Sequence, residues 1–169
     1  EIANVTRNLT INLNDFWECT STGALIDYTD GTDTLPDYVG SATDGVGKFL
    51  EWDDNANLDV NTDVCASFQV PQDYASGGAF RITMTKDAET TGTTSEQLVV
   101  NANINGGALA TADTDNVVGT AEQEILSLPT VITYAAGDAV GLTIQITSGS
   151  TMDDKVNVYS VSFEYVATQ

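Results

Sequence analysis

The side chains best suited to binding a metal ion lie in the acidic stretch 53–59, which reads DDNANLD. Oxygen-bearing side chains occupy alternate positions there, as they do in a calcium-binding loop. An EF-hand loop, however, has glycine where this stretch has Leu58, and it ends on a glutamate that is missing here. The EF-hand interpretation therefore fails, and an irregular Ca2+ site stays open. Its ligands would be Asp53, Asn55, Asn57 and Asp59.

Five aromatic side chains could form a platform for sugars, because each ring offers a broad apolar face. The alternative is that the same rings cap the ends of the core or pack beneath loops, and we expect that packing role for most of them. The five are Trp17, Tyr28, Tyr38, Trp52 and Tyr74.

A row of amides forms a second candidate surface. Asn101, Asn103 and Asn105 alternate with apolar residues, so a strand would place all three on one face. The row is either a solvated face or a face that pairs with a second copy of the chain, since amides both donate and accept hydrogen bonds.

Two cysteines, Cys19 and Cys65, could close a loop of about 46 residues, which would stabilise the fold by about 4 kcal/mol. If the apolar residues next to Cys65 face the core, its thiol faces away from it. We therefore expect two unpaired thiols ahead of a disulfide. With two cysteines and no histidine, no zinc site is expected.

The residues of common catalytic sites are missing. Histidine, the most frequent general base, is absent, and so are the GxSxG, P-loop and GxGxxG motifs. Adjacent carboxylates occur at 53–54 and 153–154, but such pairs arise by chance among 25 acidic residues. We expect no enzymatic activity.

The charge is strongly negative: 25 acidic residues against 5 basic ones give a net charge of -20. Nucleic acid is not an expected partner, because phosphate contacts need clustered lysine and arginine. Anionic membrane surfaces are not expected partners either, for the same reason. The acidic side chains either form a solvated surface or hold divalent cations, and salt would screen their mutual repulsion.

The elements that position these residues are strands. From 140 to 147 apolar and small or polar residues alternate without a break, which is typical of a half-buried strand. A second strand, 155–166, follows as the other half of a predicted hairpin. Its apolar residues change parity at Val158–Tyr159, which predicts a β-bulge there.

Similar patterns predict strands at 9–13, 48–52, 64–70, 80–86 and 98–104. Residues 120–128 could begin a short helix with a capping box, but we favour a strand there. Residues 16–19 are a short strand or the start of a loop. Together they predict an all-β, antiparallel two-sheet β-sandwich, jelly-roll-like, with about eight strands. The chain, 1–169, is expected to be a single domain with an N-terminal strand or arm at 1–20 and a long acidic loop region at 20–47.

Three segments carry a resemblance to a known group. They read VPQDY at 70–74, YAAGDAVGLTI at 134–144 and YSVSFEY at 159–165. Over about residues 64–169 the chain resembles the jelly-roll virion structural proteins of tailed bacteriophages, which include capsid decoration (cement) proteins and tail or fibre modules. The resemblance implies a non-enzymatic protein, often trimeric, on the exterior of a capsid.

The leading functional hypothesis is therefore a viral structural protein, a decoration protein that binds the major capsid protein as a homo-oligomer and stabilises the virion. Its contact residues would be Leu9, Ile11 and Leu13 of the N-terminal strand, together with the amide row. The alternative is a glycan-binding β-sandwich module of a tail fibre or of a secreted, extracellular protein, with Ca2+ as a helper and no other cofactor.

Overall fold

The computed structural model describes residues 4–19, 37–40, 48–53, 63–86, 96–108, 110–117, 124–129, 132–147 and 155–168. These residues form eleven strands and one 3-10 helix, Leu13–Asp15. Within these ranges, no helix has the length and apolarity that crossing a membrane requires. The strands are β1 (Val5–Ile11), β2 (Trp17–Cys19), β3 (Asp37–Gly40), β4 (Lys48–Asp53), β5 (Asp63–Gln69), β6 (Tyr74–Lys86), β7 (Glu96–Ile104), β8 (Ala110–Val117), β9 (Glu124–Pro129), β10 (Ala139–Thr147) and β11 (Lys155–Ala167).

The strands form two antiparallel sheets. The six-stranded sheet has the order β3-β4-β11-β6-β9, and β1 pairs with the second half of β11. The five-stranded sheet has the order β2-β5-β10-β7-β8. The predicted class, an antiparallel two-sheet β-sandwich, is confirmed.

The core lies between the two sheets, and β10 shows how one face of a strand contributes to it. In β10 the apolar residues at even positions are at most 1% exposed, and the intervening residues point outward. Phe163 of β11 lies at the centre, with its ring centroid 5.6 Å from that of Phe80 and 5.3 Å from that of Phe68. The alternation seen in the sequence therefore identifies the buried face of β10 correctly.

The predicted bulge at Val158–Tyr159 is confirmed. The pairing of β11 with β6 shifts register between Val158 and Ser160. Val156 and Val158 are buried before the shift, and Val161 and Phe163 after it. One extra residue thus keeps both halves of a long strand facing the same core.

The predicted hairpin of residues 140–166 is wrong in its pairing. β10 lies in the five-stranded sheet between β5 and β7, and β11 lies in the six-stranded sheet. Each strand has one apolar face, and packing these faces against each other across the core buries both. The connection between the two strands therefore crosses from sheet to sheet.

The described residues form eleven strands, three more than the eight predicted from the sequence. Residues 17–19 form a strand, β2, which resolves the open alternative. Residues 110–117, which lie outside the strands predicted from the sequence, form β8 against β7. β3 lies inside the region 20–47 that was expected to be loop. Hydrogen bonds to a neighbouring strand stabilise these polar segments, and side-chain periodicity does not reveal such bonds.

The N-terminal strand is folded onto its own chain. β1 pairs with β11 from Val5↔Ala167 to Ile11↔Val161. Ile11 is 4% exposed in the core, and Leu9 and Leu13 pack against that core. The structure thus shows this strand packed on its own chain. A contact of Leu9, Ile11 and Leu13 with a neighbouring subunit stays a prediction.

The two cysteines form a disulfide, which corrects the expectation of unpaired thiols. Cys19 and Cys65 are bridged, with their Cα atoms 5.9 Å apart. Cys65 does face away from the core, as expected, but β2 pairs with β5 and places Cys19 on that same outward face. An outward-facing cysteine is therefore no obstacle to a bridge when a neighbouring strand supplies its partner.

Candidate functional site

The outward side of the five-stranded sheet carries a group of exposed or half-buried small and polar residues from three neighbouring strands. β5 contributes Ser67 and Gln69, β10 contributes Ala139 and Gly141, and β7 contributes Asn103. Ser67, Gln69 and Ala139 are exposed, and Gly141 and Asn103 are half-buried. We refer to these five residues as the polar face.

Gly141 and Asn103 form the centre of the polar face. The two residues are opposite each other in the β10–β7 ladder. A Cβ atom on Gly141 would lie 2.8 Å from Oδ1 of Asn103 and 3.2 Å from its Cγ and Nδ2. The amide of Asn103 therefore lies flat over the backbone of β10, in the space that a side chain at position 141 would take.

The three amides of the predicted row differ in their partners. Asn101 donates from Nδ2 to Oγ1 of buried Thr143, at 3.2 Å. Asn105, in the left-handed region at φ 52, donates to Asp138 Oδ1 at 2.8 Å and accepts from the Ala139 backbone N–H at 3.0 Å. No group within the described ranges forms a hydrogen bond with the amide of Asn103. Asn103 is thus the member of the row that can bind a ligand without breaking an internal bond.

The adjoining part of the same outward side is covered. Cys19, Asp63, Cys65 and Thr143 are each at most 3% exposed although they point away from the core. Oδ1 of Asp63 is buried and accepts no hydrogen bond from any residue in the described ranges. Burial raises the pKa of the Asp63 carboxyl from 3.8 to about 6, because the buried carboxylate loses its hydration.

Trp17 lies at the edge of this sheet, on the short strand β2. It is opposite Cys65, which is opposite Thr143 of β10. Its side chain is 36% exposed, and it is the exposed large apolar side chain among the described residues. The spacing of strands and residues places it roughly 12 Å from Gly141. An apolar ring and an amide with no partner among the described residues therefore lie on one side of the sheet.

The other aromatic candidates are placed differently. Trp52 is 0% exposed in the core, so it cannot contact a ligand. Tyr74 stacks on Tyr165, with centroids 6.2 Å apart, and donates to the Gly77 carbonyl at 2.6 Å. Tyr38 lies on β3. Tyr28 lies outside the described residues. The expected packing role is thus confirmed for Trp52 and Tyr74.

The candidate Ca2+ ligands are not tested by the structure. Asp53 is the last residue of β4, and Asn55, Asn57 and Asp59 lie outside the described residues. Within the described ranges, no three cysteine, aspartate or glutamate side chains come together as a metal site.

Two ion pairs among the described residues belong to the framework of the six-stranded sheet. Arg81 donates to both carboxylate oxygens of Glu164, at 2.6 and 2.9 Å, which lowers the pKa of the Glu164 carboxyl. Asp73 accepts from Arg7 and from the Tyr165 hydroxyl, the latter at 3.0 Å. These bonds join β1, β6 and β11 and use both arginines of the chain.

Comparison with known proteins gives a likeness of fold. No protein-family model matches the chain, and no curated protein matches it. Among solved structures, the xylan-binding module CBM15 aligns with a TM-score of 0.60 and 13% identity, over 96% of this chain and 97% of that chain. The K3 cleaved adhesin domain of Lys-gingipain from Porphyromonas gingivalis aligns with a TM-score of 0.51 and 15% identity, over 95% and 98%. At these identities the likeness defines the chain as a β-sandwich of the same architecture.

Sequence reasoning found the amide row but missed the residue that makes it a site. In the sequence, Gly141 looks like any other outward-facing residue of an alternating strand. Its neighbour across the ladder, Asn103, is 38 positions away in the chain, so nothing local indicates that its amide needs that space. A glycine in the middle of a clean strand alternation was the one available signal, since it often marks a close approach of another group.

Proposed function

We propose that this chain is a carbohydrate-binding β-sandwich module whose glycan lies on the polar face, and that it binds without catalysis. The observation that carries the proposal is the amide of Asn103, laid over Gly141 with no hydrogen-bond partner among the described residues. The fold it shares with a xylan-binding module supports the proposal.

The chemistry of the polar face suits a sugar chain. A sugar hydroxyl both donates and accepts, and one amide can meet two neighbouring hydroxyls at once through its oxygen and its nitrogen. The hydroxyl of Ser67, on the other side of Gly141, adds a second donor and acceptor. The exposed ring of Trp17 offers an apolar surface for the face of a sugar further along the chain.

Asn103→Ala tests the assignment. We expect it to weaken glycan binding about tenfold or more, which is about 1.4 kcal/mol, because the bidentate contact is lost. The measurement is affinity gel electrophoresis against neutral and acidic polysaccharides, followed by calorimetry with the tightest binder. The matched control is Asn8→Ala, an exposed asparagine of β1 in the opposite sheet.

Gly141→Ala separates the position of the amide from its presence. The added Cβ would lie 2.8 Å from Oδ1 of Asn103, so the amide must move although it is still there. We expect a loss of binding close to that of Asn103→Ala. Full binding by both variants would contradict the assignment of the polar face.

The virion-surface hypothesis stays a prediction. Its expected contact strand, β1, packs on its own chain, and the described residues offer no alternative contact segment that favours it over glycan binding. Its capsid location, trimeric state and partnership with a major capsid protein are likewise untested. Light scattering on the purified chain in high salt would test the oligomer.

A further inference from the structure

The basic residues are segregated between the two sheets. All five lie on strands of the six-stranded sheet, and none lies on the five-stranded sheet or in a connecting segment. They are Arg7 on β1, Lys48 on β4, Arg81 and Lys86 on β6, and Lys155 on β11. Because the full sequence has only these five, the statement holds for the whole chain.

The acidic residues on the strands follow a different distribution. The strands of the six-stranded sheet carry five, which balance its five basic residues. They are Asp37, Glu51, Asp53, Glu124 and Glu164. The strands of the five-stranded sheet carry five more with no basic residue among them. They are Glu18, Asp63, Glu96, Asp113 and Asp115.

We infer that the polar face takes neutral glycans and rejects uronates and sulfated sugars, an inference that rests on the proposed function. A carboxylate or sulfate on a sugar needs an arginine or lysine partner to replace its hydration. The arginines are committed to Glu164 and Asp73, and the lysine backbones lie in the other sheet, about 10 Å away across the core.

The face also repels an anion. Asp138 lies beside the polar face, where its side chain holds Asn105 and the backbone N–H of Ala135. The net charge of -20 surrounds the face with negative potential that reaches about 10 Å at moderate salt. Repulsion of this kind gives specificity, because like charges at an interface suppress wrong partners.

The test compares sugars that differ only at C6, where the neutral sugar has a hydroxymethyl group and its uronate has a carboxylate. Mannohexaose and cellohexaose are each titrated into the protein, and the affinity of each is compared with that of the same hexamer oxidised to its uronate. Xylohexaose serves as a further neutral probe, and EDTA is present throughout. We expect a neutral hexamer to bind and its uronate to bind about tenfold more weakly or worse in dilute buffer. The difference should shrink at about 0.5 M NaCl, where the charges are screened.

A lysine placed on the polar face gives the second arm. Ala139 is exposed and lies two residues from Gly141 on β10, so Ala139→Lys puts a cation beside the proposed site. Thr10 is an exposed residue of β1 in the other sheet, and Thr10→Lys makes the same change in net charge. We expect Ala139→Lys to reduce the discrimination against the uronate about threefold or more, and Thr10→Lys to leave it nearly unchanged.

The outcomes separate the two claims. The charge selection is overturned if a neutral hexamer and its uronate bind equally well. It is also overturned if Ala139→Lys and Thr10→Lys reduce the discrimination against the uronate equally. Either result leaves the glycan-binding function standing. Failure of every hexamer and of the polysaccharide panel to bind overturns the proposed function and the charge selection together.

Discussion

Asp63 is a buried carboxylic acid that lies beside the disulfide. It is 1% exposed, it is opposite Cys19 in the ladder, and its Oδ1 has no hydrogen-bond partner in the part of the chain that the structure describes. A carboxylate in such a place loses hydration without replacing it, so the ionised form is disfavoured. This residue should therefore make the fold less stable at neutral pH than it would be with a neutral side chain.

The pH dependence of stability tests this. Burial raises the pKa of Asp63 from 3.8 to about 6. Below pH 3.8 the carboxyl is protonated in both the folded and the unfolded state, so it does not lower the free energy of unfolding. As the pH rises towards 6 the unfolded state ionises first, so stability falls, and above 6 the loss is constant. At about 1.4 kcal/mol per pKa unit, the whole loss is at most about 3 kcal/mol.

Asp63→Asn should remove that loss. We expect the free energy of unfolding of the parent to fall relative to that of Asp63→Asn as the pH rises from about 3.5 to 7.5. Urea titrations of both proteins measure this difference. Asp15→Asn, at an exposed aspartate of the 3-10 helix, is the matched control. A difference that is flat with pH, or that shifts towards the parent, would refute the burial argument.

At the scale of elements, β2 depends on the disulfide. β2 has only three residues, at the edge of the sheet, and it pairs with β5 through three positions. It carries Trp17, the aromatic ring proposed to contact the glycan. The bridge between Cys19 and Cys65 fixes this short strand to the sheet, so it also fixes the position of the ring.

Cys19→Ala with Cys65→Ala should lower the free energy of unfolding by about 4 kcal/mol, because the bridge closes a loop of 46 residues. Native-state hydrogen exchange should show faster exchange in β2, with β10 still protected. The parent under non-reducing conditions is the reference, and reduction by dithiothreitol should reproduce the effect. Unchanged stability together with unchanged exchange in β2 would contradict this role.

At the scale of the whole molecule, the net charge of -20 opposes folding through self-repulsion. Added salt screens that repulsion more in the compact state, where the charges are closer together. We expect the melting temperature to rise on the order of 5 °C, or about 1 to 2 kcal/mol, between about 10 mM and 0.5 M NaCl. KCl should have the same effect as NaCl at equal ionic strength.

Calcium at equal ionic strength separates screening from binding. A rise well beyond that of NaCl would support the predicted Ca2+ site of Asp53, Asn55, Asn57 and Asp59. A melting temperature that falls with NaCl would contradict the self-repulsion argument.

The sequence by itself determined the properties that depend on near neighbours in the chain. Alternation in β10 identified its buried face, and the change of parity at Val158–Tyr159 predicted the bulge, because both follow from side chains pointing to opposite faces at successive residues. The total charge and the absence of histidine also needed no structure.

Only the tertiary structure decided which distant residues meet. It placed β10 and β11 in opposite sheets, joined Cys19 to Cys65, buried Trp52 while exposing Trp17, and laid Asn103 over Gly141. An alternating strand can pair with any other of similar pattern, and the choice is made by packing two apolar faces around one core. The candidate site depends on that choice, because its residues come from three strands that are far apart in the sequence.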